Sequence, residues 1–185
     1  MPVERALLQP ALLNLPASLQ AAPIEWSSGS GGNGHYYESV ATAVTWETAN
    51  VAANAMMFLG KNGHLATVTS QAENDFLMAN FSDPQFLGGY QPDGSSEPAG
   101  GWAWVTGETW SYTNWAPSEP NNLLGTEKYL EFFAGGPKWN DISGTDTRTY
   151  LVEYDFPAPE PSTFVLVALG LTSLGVVALL RHRRT

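Results

Sequence analysis

Between Glu119 and Asp141 the chain is dense in oxygen-bearing side chains: Glu119-Pro120-Asn121, then Glu127, then Trp139-Asn140-Asp141. Three carboxylates and two carboxamides are donors of the kind a hard divalent cation collects. Calcium takes six to eight oxygens and mixes charged with neutral ones. Without a cation such acids oppose each other, by about 4 kcal/mol per pair at ~4 Å and an effective dielectric of about 20. The same residues also read as loop acids that each face water, and these residue types alone leave both readings open.

Catalysis is the other chemistry to weigh. Glu119 and Asp141 would be the pair for a glycosidase. A catalytic acid needs a raised pKa, however, and a bound cation pushes the other way. Neither a His-Glu-x-x-His run nor a Gly-x-Ser-x-Gly turn occurs, so the metalloprotease and hydrolase signatures are missing. His35 and His64 have no Ser or Cys partner suggested by the sequence. The expectation is a binding protein and not an enzyme.

Composition narrows the partners. Hydrophobic residues make up 43% of the 185, with seven Trp, enough for a packed core. From Ala22 to Glu160 there are 17 acids and four bases (Lys61, Lys128, Lys138, Arg148), a net charge of −13. That field repels phosphate backbones, which excludes nucleic acid as the expected partner, and it suits cations. There is no cysteine, so packing or a metal must hold the fold.

The elements that position these residues read as α+β. His35–Val40 reads as a strand. Thr45 caps a helix from Trp46 to about Leu59, with Trp46, Ala49, Ala53 and Met57 on one face. Ala66–Val68 reads as a short strand. Ser70-Gln71-Ala72-Glu73 has the form of a capping box, with Glu73 reaching back to the Ser70 amide. It opens a second helix that turns Phe76, Leu77 and Ala79 inward. Short strands come next at Phe86–Gly88, Trp102–Val105, Tyr129–Phe133 and Thr149–Tyr154, between long loops. Ser27–Gly34 reads as a flexible entry and Pro157–Pro159 as a stiff exit.

Both ends read as addresses. Arg5 and an apolar stretch from Ala6 to Leu19 precede a small-residue site near Ala21, which gives a secretory signal peptide over residues 1–21. Phe164–Leu180 is 17 residues without charge, followed by Arg181, Arg183 and Arg184. As a helix it would be about 26 Å long and cross a bilayer with its basic end in the cytoplasm. Pro159-Glu160-Pro161 stands just before it. This three-part tail, over 157–185, resembles the PEP-CTERM sorting signal. The resemblance implies processing by an exosortase-type membrane enzyme. The chain is then exported across the inner membrane, held transiently by its tail, and placed at the cell surface or outside the cell.

The folded part, 22–156, resembles a C-type lectin domain over roughly Gly34–Asp155. The carrying residues occur in family order: Trp46 with Ala49 and Ala53, Gly63-His64-Leu65-Ala66-Thr67-Val68-Thr69-Ser70 with Glu73 and Phe76, and Leu87-Gly88-Gly89. Next come Trp102-Ala103-Trp104, Gly107 and Tyr112-Thr113-Asn114-Trp115, then Glu119-Pro120-Asn121 and Trp139-Asn140-Asp141. The resemblance implies two helices, small antiparallel sheets and a long ligand-binding loop region, with His35–Val40 paired to Tyr150–Tyr154. It further implies a cis Glu119–Pro120 peptide and one calcium ion held by Glu119, Asn121, Glu127, Asn140 and Asp141. A second, auxiliary ion is not expected, because Lys128 and Asn122 stand where acids would serve it. Sugar hydroxyls would complete the shell, with Glu119, Asn121, Glu127 and Asn140 each touching sugar as well as metal. The order acid-Pro-amide implies mannose-, glucose- or fucose-type equatorial 3- and 4-hydroxyls, on a polysaccharide or glycoconjugate. The other use of the fold is non-catalytic adhesion through protein contacts in an envelope or biofilm matrix. Gln91-Pro92-Asp93 matches the galactose-selecting order but lies in a turn-like stretch, and reads as a surface turn. Trp115 and Trp139 read as core, and Tyr90, Trp110 and Tyr112 as possible sugar-rim residues.

Overall fold

The structure is a computed structural model and describes residues 21–81 and 84–157. All but the last residue of the expected signal peptide (1–21), and the tail from residue 158 with its expected apolar span, lie outside the described residues. β1 (Ile24–Glu25) leads to β2 (Tyr36–Val44), which pairs antiparallel with the last strand, β9 (Arg148–Tyr154). Tyr36 stands opposite Tyr154 and Val40 opposite Tyr150, so the expected closure of first strand on last is present. Between them come α1 (Trp46–Ala55), β3 (Met57–Phe58), β4 (Lys61–Leu65), α2 (Gln71–Asn80), β5 (Gln85–Tyr90), β6 (Ala103–Trp104), β7 (Glu127–Phe132) and β8 (Trp139–Ser143). The sheet runs β1-β2-β9-β5-β7-β8. β5 joins β9 in parallel (Gln85 opposite Thr149), so the sheet is mixed and not purely antiparallel.

β9 shows how the sheet is covered. Tyr150, Val152 and Tyr154 enter one core with Trp46, Ala49, Ala53 and Phe86, while Leu151 enters the other with Tyr37, Leu77, Trp104 and Trp139. The period-two alternation of a strand sends these residues to opposite faces, and both faces are packed.

Several local expectations are corrected. α1 ends at Ala55 and not near Leu59. Leu59 and Gly60 both take positive φ (45° and 82°), the signature of a tight hairpin turn. That turn pairs β3 with β4 and leaves Met57 69% exposed instead of on the core face. Ala66–Val68 is not a strand: the Thr67 amide donates to Glu153 Oε2 at 2.9 Å, which ends the ladder. In α2, Ser70 Oγ accepts from the Glu73 amide (3.2 Å), but the Glu73 carboxylate takes the Thr69 amide (2.7 Å) and the Tyr37 hydroxyl (2.7 Å). Buried beneath β2, that carboxylate meets better donors than the Ser70 amide, so the box is one-sided. Ala79 is exposed, and Asn74 joins Leu77 on the inward face. Finally, Ser27–Gly34 is a closed loop with a 3₁₀ turn at Ser28–Ser30. It is tied by Trp26 N–H to His35 O and Gly34 N–H to Trp26 O, both 2.9 Å.

The start of β8 is fixed to α2 by one buried polar triangle. Trp139, wholly buried, donates its indole N–H to Asn74 Oδ1 (2.9 Å), and Asn74 Nδ2 donates to Pro137 O (3.1 Å). Around it Trp102, Trp104, Trp110, Trp115 and Tyr112 pack against one another and against Trp139, with Trp104–Trp110 centroids 4.4 Å apart. Truncating Asn74 would orphan the indole N–H in a dry interior. Asn74→Ala is expected to cost about 1–3 kcal/mol of stability, measured as a lower denaturant midpoint with an unchanged slope.

Candidate functional site

The loop that carries Glu119 and Asn121 is clamped to the start of β8 before it reaches them. Trp139 N–H donates to Asn114 O (2.9 Å) and Ala116 N–H to Trp139 O (2.8 Å). The Asn114 side chain donates to Pro137 O (2.6 Å) and accepts from Lys138 Nζ (2.7 Å). The chain then turns: Glu119 N–H reaches back to Ala116 O (3.0 Å), Ser118 takes a φ of 75°, and the Glu119–Pro120 peptide is cis, as the resemblance implied. Asp141, fully buried on β8, receives the next two amides of the loop. Its Oδ1 accepts from the Asn121 amide (3.0 Å) and its Oδ2 from the Asn122 amide (2.7 Å).

The second arm is Glu127 at the start of β7. Its Oε2 accepts from the Leu123 amide (2.7 Å), and its own amide donates to Asn122 Oδ1 (3.0 Å). Asn122 and Leu124 take positive φ (48° and 58°), so the segment between Asn121 and Glu127 folds tightly on itself. Its tip is apolar and bare, with Leu123 60% and Leu124 90% exposed. Lys128 pairs with Asp93 at 2.8 Å.

Electrostatically this corner is overloaded with acid. Burial, then the Asp141 carboxylate within hydrogen-bonding reach, then the more distant Glu127, push the Glu119 carboxyl up to about 7. Glu119 Oε2 is buried with no hydrogen-bond donor facing it. Glu127 is also raised, by burial and by Asp141, Asp146 and Glu131, against the pull of the Leu123 amide. An orphaned buried carboxylate oxygen beside a second carboxylate is a donor set that fits a divalent cation. A glycosidase would need about 5 Å or more between its two carboxyls, whereas Glu119 and Asp141 are within hydrogen-bonding reach of each other.

The five residues named from the sequence are brought together unevenly. Glu119 and Asp141 meet through their carboxyls, and Asn121 reaches Asp141 through its backbone amide. Glu127 joins through Leu123 and Asn122. Among the described residues, Glu119, Glu127 and Asp141 do not form a group with ligand atoms all within 4.8 Å of one another, whereas His35, Glu153 and Asp155 do. Asn140 donates its side-chain amide to Glu131 Oε1 (3.1 Å), and Arg148 Nε holds Glu131 Oε2 (2.7 Å). Sequence reasoning missed Glu131. The signal was its position between the core residues Leu130 and Phe132, opposite Asn140 in the β7–β8 register.

The rim expectations change. Trp110 stacks on Trp102 within the aromatic core, Tyr112 packs on Trp139 and donates to Gln71, and Tyr90 packs against Trp46. None of the three reaches the Glu119–Asp141 corner through these contacts. Gln91 is not a surface residue either. It is buried, and its side-chain amide donates to Pro98 O (3.0 Å) and Gly100 O (2.7 Å), closing the loop on which Asp93 is exposed.

The Glu119 shift fixes a sign for stability in chelator. Its folded pKa, about 7, lies above the ordinary 4.5, so the folded state binds the proton more tightly. Ionisation through that window is unfavourable to folding. In chelator the melting temperature is expected to fall as pH rises from about 5 to 8, and Glu119→Gln is expected to flatten that fall.

Known proteins share this architecture. A model of the lectin C-type domain matches residues 42–153, and one of the PEP-CTERM protein-sorting motif matches 157–184. Halomucin of Haloquadratum walsbyi is 35% identical over 162 residues, 75% of this chain but only 2% of its own length. The C-type lectin lectoxin-Lio2 of Erythrolamprus poecilogyrus is 29% identical over 75% of this chain and 83% of its own. Among solved structures, the C-type lectin CEL-I of Cucumaria echinata superposes with a TM-score of 0.59 at 25% identity, covering 68% of this chain and 92% of its own. With an α+β fold of two α-helices and a mixed sheet among the described residues, the chain belongs to the C-type lectin domain family and carries a PEP-CTERM sorting motif at 157–184.

Proposed function

We propose that the protein binds carbohydrate through one calcium ion held by Glu119, Asn121, Glu127, Asn140 and Asp141. The observation that carries this reading is the pressed Glu119–Asp141 pair, with its donorless buried oxygen and its upward-shifted pKa. Calcium would supply a fixed double positive charge with room for hydroxyl oxygens. The chain's own part is orientation. Asp141 fixes the Asn121 and Asn122 backbone, Leu123 fixes Glu127, and Glu131 fixes Asn140. Glu119, Asn121, Glu127 and Asn140 would then contact vicinal equatorial 3- and 4-hydroxyls of a mannose-, glucose- or fucose-type residue. No turnover is assigned to this site. Lys128, engaged by Asp93, and Asn122, engaged by the Glu127 amide, support a count of one ion at this loop.

The proposed setting is the cell surface or the extracellular matrix. Residues 1–21 would direct export, 22–156 form the binding domain, and 157–185 with its span at 164–180 anchor the chain until an exosortase-type enzyme removes the tail. The bare Leu123–Leu124 tip favours one second reading, adhesion to another protein.

At calcium 100-fold above Kd, about 2.7 kcal/mol of stabilisation is expected, a rise in melting temperature of roughly 6–12 °C over chelator for a domain of this size. Asn121→Ala is expected to weaken calcium-dependent mannose binding roughly 10- to 100-fold. Full sugar affinity in that variant, read by titration calorimetry, would reject the carbohydrate reading. Cell-surface adhesion kept by Asn121→Ala but lost in Leu124→Asp would favour the protein-adhesion one.

A further inference from the structure

A second set of metal-type donors lies where β2 begins and β9 ends, separated from β8 in sheet order by β5 and β7. His35 immediately precedes β2, His64 lies on β4, Glu153 on β9 and Asp155 just beyond it. Strand pairing assembles them: Tyr36 stands opposite Tyr154, and His64 opposite Glu153. His35 Nδ1 is 2.7 Å from Glu153 Oε1 and 3.3 Å from Asp155 Oδ1. His64 Nε2 is 3.1 Å from the same Asp155 oxygen.

The surrounding bonds orient each donor. His64 Nδ1 lies 2.9 Å from the Leu65 carbonyl, which can only accept, so that nitrogen carries a proton and Nε2 is the one presented to Asp155. A ligating imidazole is characteristically held in this way through its other nitrogen. Glu153 is held by the Thr67 amide (2.9 Å), and the Tyr37 hydroxyl, whose one proton lies between it and Glu73, is 3.0 Å away. Glu153 is buried, His35 partly so, and the Asp155 side chain is 60% exposed, which leaves a way in.

We propose that His35, His64, Glu153 and Asp155 form a binding site for a zinc-class divalent ion, distinct in chemistry from the oxygen-only corner at Glu119 and Asp141. Two imidazoles and two carboxylates are a borderline donor set that suits zinc and disfavours calcium. Zinc bonds of about 2.0–2.2 Å in a tetrahedron place ligand atoms about 3.3 Å apart. The separations of 2.7, 3.1 and 3.3 Å are close to that spacing for the pairs they join. The ligand atoms of His35, Glu153 and Asp155 all lie within 4.8 Å of one another, and His64 joins them through Asp155 and must move in to complete the shell. Two carboxylate charges balance the ion while the imidazoles bind neutral. The ion would tie the entry of β2 to β4 and the end of β9, a staple for a chain without cysteine.

The test uses the full chain in detergent, stripped with chelator and titrated with zinc, and with cobalt as its coloured stand-in. One equivalent of cobalt is expected to give the strong visible absorption of a tetrahedral site, bleached by zinc, and zinc is expected to raise the melting temperature. His64→Gln and Asp155→Asn are each expected to weaken zinc binding about ten-fold or more. Their near-ultraviolet circular dichroism, reporting the Trp cluster, should match the parent. Glu119→Gln is expected to leave the zinc response intact. A zinc response that survives both His64→Gln and Asp155→Asn, one that is lost in Glu119→Gln, or a parent chain that gives only weak octahedral cobalt absorption overturns the proposal.

Discussion

The Glu119–Asp141 corner depends on one buried carboxylate. Asp141 has no exposed surface, and its two oxygens accept the backbone amides of Asn121 and Asn122. Those two bonds, with the clamp at Asn114 and Ala116 before them and Glu127 after them, tie a long excursion to the β7–β8 hairpin. A hydrogen bond to a charged partner is worth about 1.5–3 kcal/mol, and here two are made in a dry setting. The arrangement also brings Asp141 against Glu119, whose ionisation is thereby opposed. The same side chain that orders the loop therefore creates the negative density that a cation would relieve. On the proposed reading, loop geometry and cation affinity are two consequences of one residue.

The rest of the fold serves that placement. Asp141 sits on β8, β8 pairs with β7, and Trp139 two residues earlier is pinned through its indole to Asn74 on α2. The aromatic cluster behind it fills the space under the loop with large planar side chains, so the loop has a hard floor. On the far flank, β2 and β9 close the chain ends together, and the polar knot of Tyr37, Glu73 and Glu153 is buried beneath them. Like-charged groups packed this tightly are costly unless bonded or offset, and both proposed cation sites lie where such acids gather.

Much of this was legible in the residues. Helix starts at Thr45 and Ser70 came from capping chemistry, and the pairing of first with last strand came from the ordered motifs. The cis Glu119–Pro120 peptide came from the same motifs. The features that escaped notice depended on tertiary competition. Glu73 satisfied the sequence rule for a capping box, yet Tyr37, distant in the chain, won its carboxylate. The α1 terminus was misplaced because apolar periodicity ran on through Met57, while two left-handed residues at Leu59 and Gly60 turned the chain into a hairpin. Glu131 shows locally only as an acid between the core residues Leu130 and Phe132; its partners Asn140 and Arg148 come from other strands and appear only once β7 pairs with β8. Gln91 looked like a turn residue, since nothing in its neighbourhood announces that its side chain closes a loop by bonding to Pro98 and Gly100.

If Asp141 both builds the corner and makes it a cation site, its charge must be essential to metal uptake. Calcium titration calorimetry on the purified chain and on Asp141→Asn tests this most directly. One calcium per chain whose heat is lost in Asp141→Asn is the predicted result. A parent chain that takes up no calcium, or a variant that takes it up unchanged, would contradict the account.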